Sequence, residues 1–225
     1  GFLGVYNACS TMSESMLLAS VLVDGGYLNN AICATSSHFA TAERQYRYPL
    51  EQGTTRPAQS QWTVTGAGAN LISRADKGVS ITAAAIGHVV DYGVTDANNM
   101  GAAMAPAVAH PLLDFFAERK TTPAEYDLIL TGDLGALGSR LLKTLLKKKG
   151  VEINNHLDCG ELIYNMDENE FQGGSGAGCS AVVFNSYIYK RMLIGDYKKV
   201  LFIATGALMS TTSAQQGESI PGIAH

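Results

Sequence analysis

Cys9 is the residue best placed for nucleophilic chemistry. It stands in GVYNACSTMSESMLLAS, after an apolar run and directly before residues whose apolar positions, Met12, Met16, Ala19 and Val23, recur at helical spacing. A thiol at a helix N-terminus faces unpaired backbone N–H groups and the positive end of the helix dipole, and both favour the thiolate. Such a nucleophile also needs a base and donors for the developing negative charge. Of the five histidines, His88 and His110 fall in stretches expected to be strand and helix, and they read as packing or surface residues. His156 sits in a polar loop and is expected to be solvated. His38, just past a strand end in SSHFATAERQYRYP, is the better pocket residue.

The same segment carries Arg44 and Arg47, three apart and so on one face of a helical turn. Arginine grips a carboxylate with two parallel hydrogen bonds, and Tyr46 and Tyr48 offer faces for a flat ring. A dimer contact fits these residues equally well. The four cysteines, Cys9, Cys33, Cys159 and Cys179, show no CxxC or Cys/His spacing, so no zinc site is expected. Cys33 and Cys179 lie in apolar or small-residue runs and read as reduced core thiols, which favours a cytoplasmic-type compartment.

The 225 residues allow one large domain or two small ones, and a net charge of −4 argues against a nucleic-acid footprint. The sequence shows no signal peptide and no apolar run long enough to span a bilayer, so a membrane link is expected to run through a partner. The opening GFLGVYNA has no initiator methionine, and the closing SIPGIAH has no capping element. Both read as the ends of a piece of a longer chain.

The elements that must position these residues alternate. A helix is expected over 11–24, ended by Gly25-Gly26, then a short strand Ala31–Thr35 and a polar, aromatic loop. Residues 62–73 read as a strand with a Gly-rich bend and 78–93 as another strand. An amphipathic helix follows over 101–119, then a buried strand Tyr126–Thr131. LGSRLLKTLLKKKG reads as a helix whose basic end suits its C-terminal dipole. The segment GGSGAGCSAVVFNSYIYKRMLIGDYKKVLFIATG gives a turn, a helix and a strand. Shifted back by 170 residues it lies over the opening without a gap: Cys179-Ser180 on Cys9-Ser10, Gly195 on Gly25, Tyr197 on Tyr27, and Ala204-Thr205 on Ala34-Thr35. A repeat of this length suggests two related α/β halves.

A duplicated α/β fold with a cysteine at a helix N-terminus in its first half resembles the thiolase and ketoacyl-synthase superfamily. The runs ATSSHFATAERQYRYP, YDLILTGDLG, MAPA, GGSGAGCSAVV, ATGALMS and IPGIAH are similar to one family of that superfamily, stage V sporulation protein AD, and the resemblance covers essentially the whole chain. It implies two stacked βα halves with their central helices packed back to back. Residues 1–75 would be the remainder of the first half and 76–225 the second half, without the first strands and the last strand.

In condensing enzymes of the superfamily, a histidine in a His-x-Ala-Asn-like turn and a histidine or asparagine in a Gly-Asn-Thr-Ser-Ala-like turn serve the cysteine. The corresponding turns here, Thr131–Gly135 and Gly173–Ala177, hold neither. Asp133 stands where a base is needed, and as an anion it would raise the thiol pKa. The resemblance therefore implies a pseudo-enzyme in which Cys9 is a vestigial nucleophile lining a receptor pocket. The implied ligand is dipicolinic acid or its calcium chelate, taken up into the developing spore. The implied ligand-binding residues are Cys9, His38, Arg47 (ahead of Arg44), His225 and Asp133, the last facing the chelated calcium.

No cofactor and no metal site are expected. The implied partners are membrane proteins of the same sporulation operon and a second copy of the chain, at the inner membrane of the forespore or spore. Two alternatives stay open. One is an acyl-CoA-dependent acyltransferase or condensing enzyme using Cys9 with His38 or His225 as base. The other is a purely structural scaffold of a spore membrane complex.

Overall fold

LILT, apolar until its last residue, forms β4 (Leu128–Thr131), and all four residues are buried. Such a run suits a strand covered on both faces. The computed structural model describes residues 1–46, 55–74, 78–166 and 171–225. In it β4 is the centre of a parallel three-stranded sheet, flanked by β5 (His156–Asp158) and β7 (Val200–Ile203). The alternation of a strand sends Ile129 into a core shared with α3 (Met100–Arg119) and α4 (Gly135–Lys148). Leu128 and Leu130 point the other way, into a core shared with α6 (Ala177–Val183) and with Met12 of α1 (Thr11–Asp24).

On the far side of α1 and α6 lies an antiparallel ribbon of β1 (Asn30–Ser37) and β3 (Gly66–Ser73), in register from Asn30 opposite Ser73 to Ser37 opposite Gly66. The two helices touch each other and are sandwiched between this ribbon and the sheet. The Gly-rich run in β3 has a packing cause: a Cβ at Gly68 would stand 2.6 Å from the Ala181 carbonyl oxygen of α6. The element order of the 170-residue repeat is visible in the fold, with the left-handed glycines, Gly26 and Gly195, one place out of its register. Helix α1 turns through Gly26 (φ 78°) and Tyr27 into β1. Helix α6 continues through a π-turn, Phe184–Ile188, into α7 (Tyr189–Leu193), which turns through Gly195 (φ 87°) and Tyr197 into β7. The boundary expected near residue 75 falls beside residues 75–77, outside the described residues.

Several expectations need correction. Residues 78–93 form no strand; only Val90 finds a bridge partner, Gly222 of β9 (Gly222–Ala224), so apolar alternation there lacks the ladder that would make it one. The polar loop after β1 contains a helix, α2 (Phe39–Tyr46). Helix α3 is not one-sided: Ala103 to Ala109 are all buried, enclosed by α4, β8 (Thr205–Ala207) and β9. It is also, among the described residues, the one helix long and apolar enough by length and composition to cross a bilayer, and it serves here as a core helix. His156 is not in a solvated loop; it lies buried on β5.

Candidate functional site

The turn before α1 is pinned at both ends. The Asn7 N–H donates to Thr11 Oγ1, and the Ser10 and Thr11 hydroxyls donate back to the Asn7 and Ala8 carbonyls, each at 2.6 Å. Within it Ala8 is held at φ 50°, a left-handed conformation that a residue with a Cβ adopts only when its surroundings impose it. Cys9 follows directly, half-buried, on the wall of a cavity of about 690 Å³. Around it the lining is rich in hydroxyls: Ser36, Ser37, Thr41, Thr63, Thr65 and Ser175. His38, between β1 and α2, lines the same cavity.

Asp133 lies behind the wall, 1% exposed. It sits in the turn between β4 and α4, as the strand's C-terminal end requires. Thr205 Oγ1 donates to its Oδ1 at 2.6 Å; Ser175 Oγ and the Gly176 N–H donate to its Oδ2 at 3.1 and 2.9 Å. The Cys9 thiol is a further hydrogen-bond partner of the same carboxylate. Burial pushes the Asp133 pKa up, and the donors, Thr205 first, pull it back. Gly176 can present its N–H here because its φ of 107° is open to glycine. The two turns that resemble the catalytic turns of condensing enzymes thus meet Cys9, but through Asp133, Ser175 and Gly176.

A second buried carboxylate holds that arrangement. Asp158, at the end of β5, accepts the N–H groups of Leu134, Gly135 and Glu161 at 2.9, 2.9 and 3.2 Å, and the Thr131 hydroxyl at 2.6 Å. Burial pushes it up to about 7, and the nearby Asp133 charge adds to the rise. His156 reaches the same hydroxyl at 2.9 Å, and burial pushes its pKa down to about 4. Gln61 braces the turn from the other side, donating to the Asp133 and Gly174 carbonyls at 2.9 and 2.8 Å.

The roof of the cavity is clamped by an ion pair. Glu43 of α2, fully buried, meets Arg56 at 3.0 Å and accepts from the Thr63 hydroxyl at 2.9 Å. The Arg56 guanidinium lies 4.0 Å over the Trp62 ring and 5.5 Å from Phe39. This ties α2 to β2 (Trp62–Thr63), which pairs with β6 (Gly174–Ser175) beside the Asp133 turn.

Of the residues singled out from sequence, Cys9, His38 and Asp133 come together. His225 joins them at one remove. Its Nδ1 accepts from the Gly87 N–H at 3.1 Å, and its Nε2 lies 2.6 Å from the Asn7 side-chain amide nitrogen. It lines a smaller, mostly apolar cavity of about 190 Å³ on the other side of that turn. Arg47 lies outside the described residues. Among the described residues no three His, Cys, Asp or Glu side chains converge as a metal site. Sequence reasoning missed Thr205, Asp158 and Arg56, and it noted Glu43 only as part of the polar segment after β1, without its partner. Thr205 had left a signal as the end of the repeated Ala-Thr.

Comparison with known proteins places this geometry. The family described as stage V sporulation protein AD matches residues 1–225. The curated stage V sporulation protein AD of Bacillus subtilis (strain 168) is 50% identical over all 225 residues, and the chain spans 67% of that relative's length. Among solved structures, 3-oxoacyl-[acyl-carrier-protein] synthase III from Aquifex aeolicus VF5 superposes with a TM-score of 0.57 at 12% identity, covering 98% of this chain and 65% of that one. Xanthomonas campestris OleA, solved with cerulenin bound, superposes with a TM-score of 0.56 at 13% identity, covering 97% of this chain and 61% of that one. These structural likenesses establish the thiolase-like α/β fold; the chain spans just under two thirds of each enzyme's length.

Proposed function

Because this chain belongs to the stage V sporulation protein AD family, we propose that its cavity is a non-catalytic receptor for dipicolinic acid, free or as the calcium chelate, serving uptake of that ligand into the developing spore. The observation that carries the reading is the bond between Cys9 and Asp133. The ionised carboxylate is engaged by Thr205, Ser175 and Gly176, and its charge opposes a thiolate beside it. In this reading Cys9 is a lining residue rather than a nucleophile. The cavity has the volume of a small-molecule site, and the hydroxyls of Ser36, Thr41 and Thr65 together with His38 supply donors for carboxylate oxygens.

In this reading Asp133 acts from behind the wall, orienting Cys9 and Ser175, and His225 holds the Cys9 turn through Asn7. Arg47 is retained as the sequence-based candidate for a carboxylate partner. Attachment at the spore inner membrane, alongside membrane proteins of the same operon, and a homodimeric state belong to the same proposal.

Calorimetric titration of the full-length protein with dipicolinate, with and without calcium, tests it beside the Cys9→Ala variant. Saturable binding that the variant weakens severalfold is expected. No heat under either condition overturns the receptor reading in favour of a scaffold. A covalent mass shift on Cys9 after incubation with an acyl-CoA overturns it in favour of acyl transfer.

A further inference from the structure

The parallel sheet has two unlike ends. The turns that build the cavity, at Asp133 and Thr205, leave the C-terminal ends of the strands. At the opposite end α3, α4 and α7 all terminate and the chain enters β4, β5 and β7. Residues 117–127, 147–155 and 189–199 make up this end, and they hold nine Lys and Arg against five Asp and Glu, in a chain of net charge −4. Four of the acids are occupied. Glu152, Asp196 and Glu125 pair with Lys147, Arg191 and Lys199 at 3.5, 2.9 and 4.0 Å, and Asp127 accepts the N–H groups of Lys198 and Lys199.

Six exposed cations remain without an ion pair among the described residues: Arg119, Lys120, Lys148, Lys149, Lys190 and Lys198. Cations in the last turn of a helix suit its dipole. That accounts for part of the set, but not for Lys198, and not for what stands among them. At the end of α7 and the start of the turn after it, Leu193 and Ile194 are 57% and 75% exposed, and the Arg191–Asp196 pair staples that turn. Two branched apolar side chains held outward, with lysines on either side, match the interface of a bilayer: the apolar tips enter the headgroup boundary and the ammonium groups meet lipid phosphates. A soluble polyanion would have no use for the apolar tips.

We infer that this end of the protein docks directly on an anionic lipid bilayer, with Leu193 and Ile194 entering the interface and Lys148, Lys149, Lys190 and Lys198 facing the phosphates. The inference is independent of the ligand reading. It differs from the expectation that any membrane link runs through a partner.

Co-sedimentation of the full-length protein with vesicles tests it. Binding is expected to vesicles containing phosphatidylglycerol and not to pure phosphatidylcholine, and to weaken as salt rises. The Leu193→Ser/Ile194→Ser variant is expected to lose about tenfold in partitioning, and Lys190→Glu/Lys198→Glu at least as much. All four positions are exposed, and circular dichroism together with an unchanged urea-unfolding midpoint checks that the variants fold. Absence of phosphatidylglycerol-dependent binding overturns the inference. So does binding that the apolar variant leaves intact, or equal binding to soluble polyphosphate.

Discussion

His156 and Asp158 stand two residues apart on one face of β5, and both reach the Thr131 hydroxyl, at 2.9 and 2.6 Å. The hydroxyl has one proton. With Asp158 ionised it donates there and accepts from His156, so the neutral ring carries its proton on Nε2. The two groups also titrate in opposite senses.

Asp158 is pushed up to about 7, so between the unfolded carboxylate value and 7 the folded state binds more protons and stability falls as pH rises. His156 is pushed down to about 4, by burial first and the Lys143 charge second. Between 4 and the unfolded imidazole value the unfolded state binds more protons, and stability rises with pH. The slopes oppose each other from about pH 4 to about pH 6.5. His156→Gln keeps a donor for Thr131 but removes one slope. Urea unfolding across this range is expected to show the variant losing stability steadily with rising pH while the parent stays flatter; parallel profiles would refute the assignment.

The bond from Cys9 to Asp133 sets thiol reactivity. Asp133→Asn removes the charge and keeps the volume. Alkylation of Cys9 by iodoacetamide at fixed pH is expected to speed up severalfold, because the thiolate no longer forms beside a carboxylate. The variant is also expected to lose about 1–3 kcal/mol of stability, as the Gly176 N–H and two hydroxyls lose a charged acceptor. An unchanged alkylation rate in a folded variant would show that Asp133 does not restrain the thiol.

The Glu43–Arg56 clamp is buried on both sides, with side-chain exposures of 0% and 8%. Removing one partner leaves an uncompensated charge, so Arg56→Met is expected to cost about 3–5 kcal/mol in urea unfolding. Glu43→Gln/Arg56→Met together is expected to cost less than the sum of the single changes. Additive losses would mean that the two charges stand independently. Because α2 carries Thr41 and Ala42 of the cavity lining, the Arg56 variant is also expected to weaken dipicolinate binding.

Gly68→Ala tests the close approach of ribbon and central helix. Its Cβ would meet the Ala181 backbone at 2.6 Å, which rotamer adjustment cannot relieve. A loss of about 1–3 kcal/mol is expected. A neutral substitution would show that β3 and α6 part easily.

What was legible in the sequence follows from range. Helices α1 and α4 announced themselves because their apolar positions repeat locally at the helical period, and β4 because its short continuous apolar run suits a strand buried on both faces. The repeat tied Cys9-Ser10 to Cys179-Ser180, and the fold bears out the matching order of helix, Gly-x-Tyr turn and strand. The hydrogen bonds around Asp133 were not legible. Ser175 lay in a turn expected near the cysteine and Thr205 ended the repeat, but they stand 42 and 72 residues from Asp133 and nothing local marks them as its donors. His156 was misread because INNHLD is polar, whereas a three-residue parallel strand against β4 is enough to bury it. The strand expected over 78–93 failed for the converse reason: alternation is a local property, and a ladder needs a neighbour.

Because β4, β5 and β7 run parallel, the layer built on them is a vector. Its chemistry leaves by one end and its positive charge gathers at the other, separated by strands of roughly 13 Å and the turns beyond them. A protein resting on a charged surface by its cationic end would present its cavity outward, toward the aqueous phase. Under the proposed receptor reading a ligand would then enter the cavity from solution, and a path to the surface would run around the sheet rather than through it.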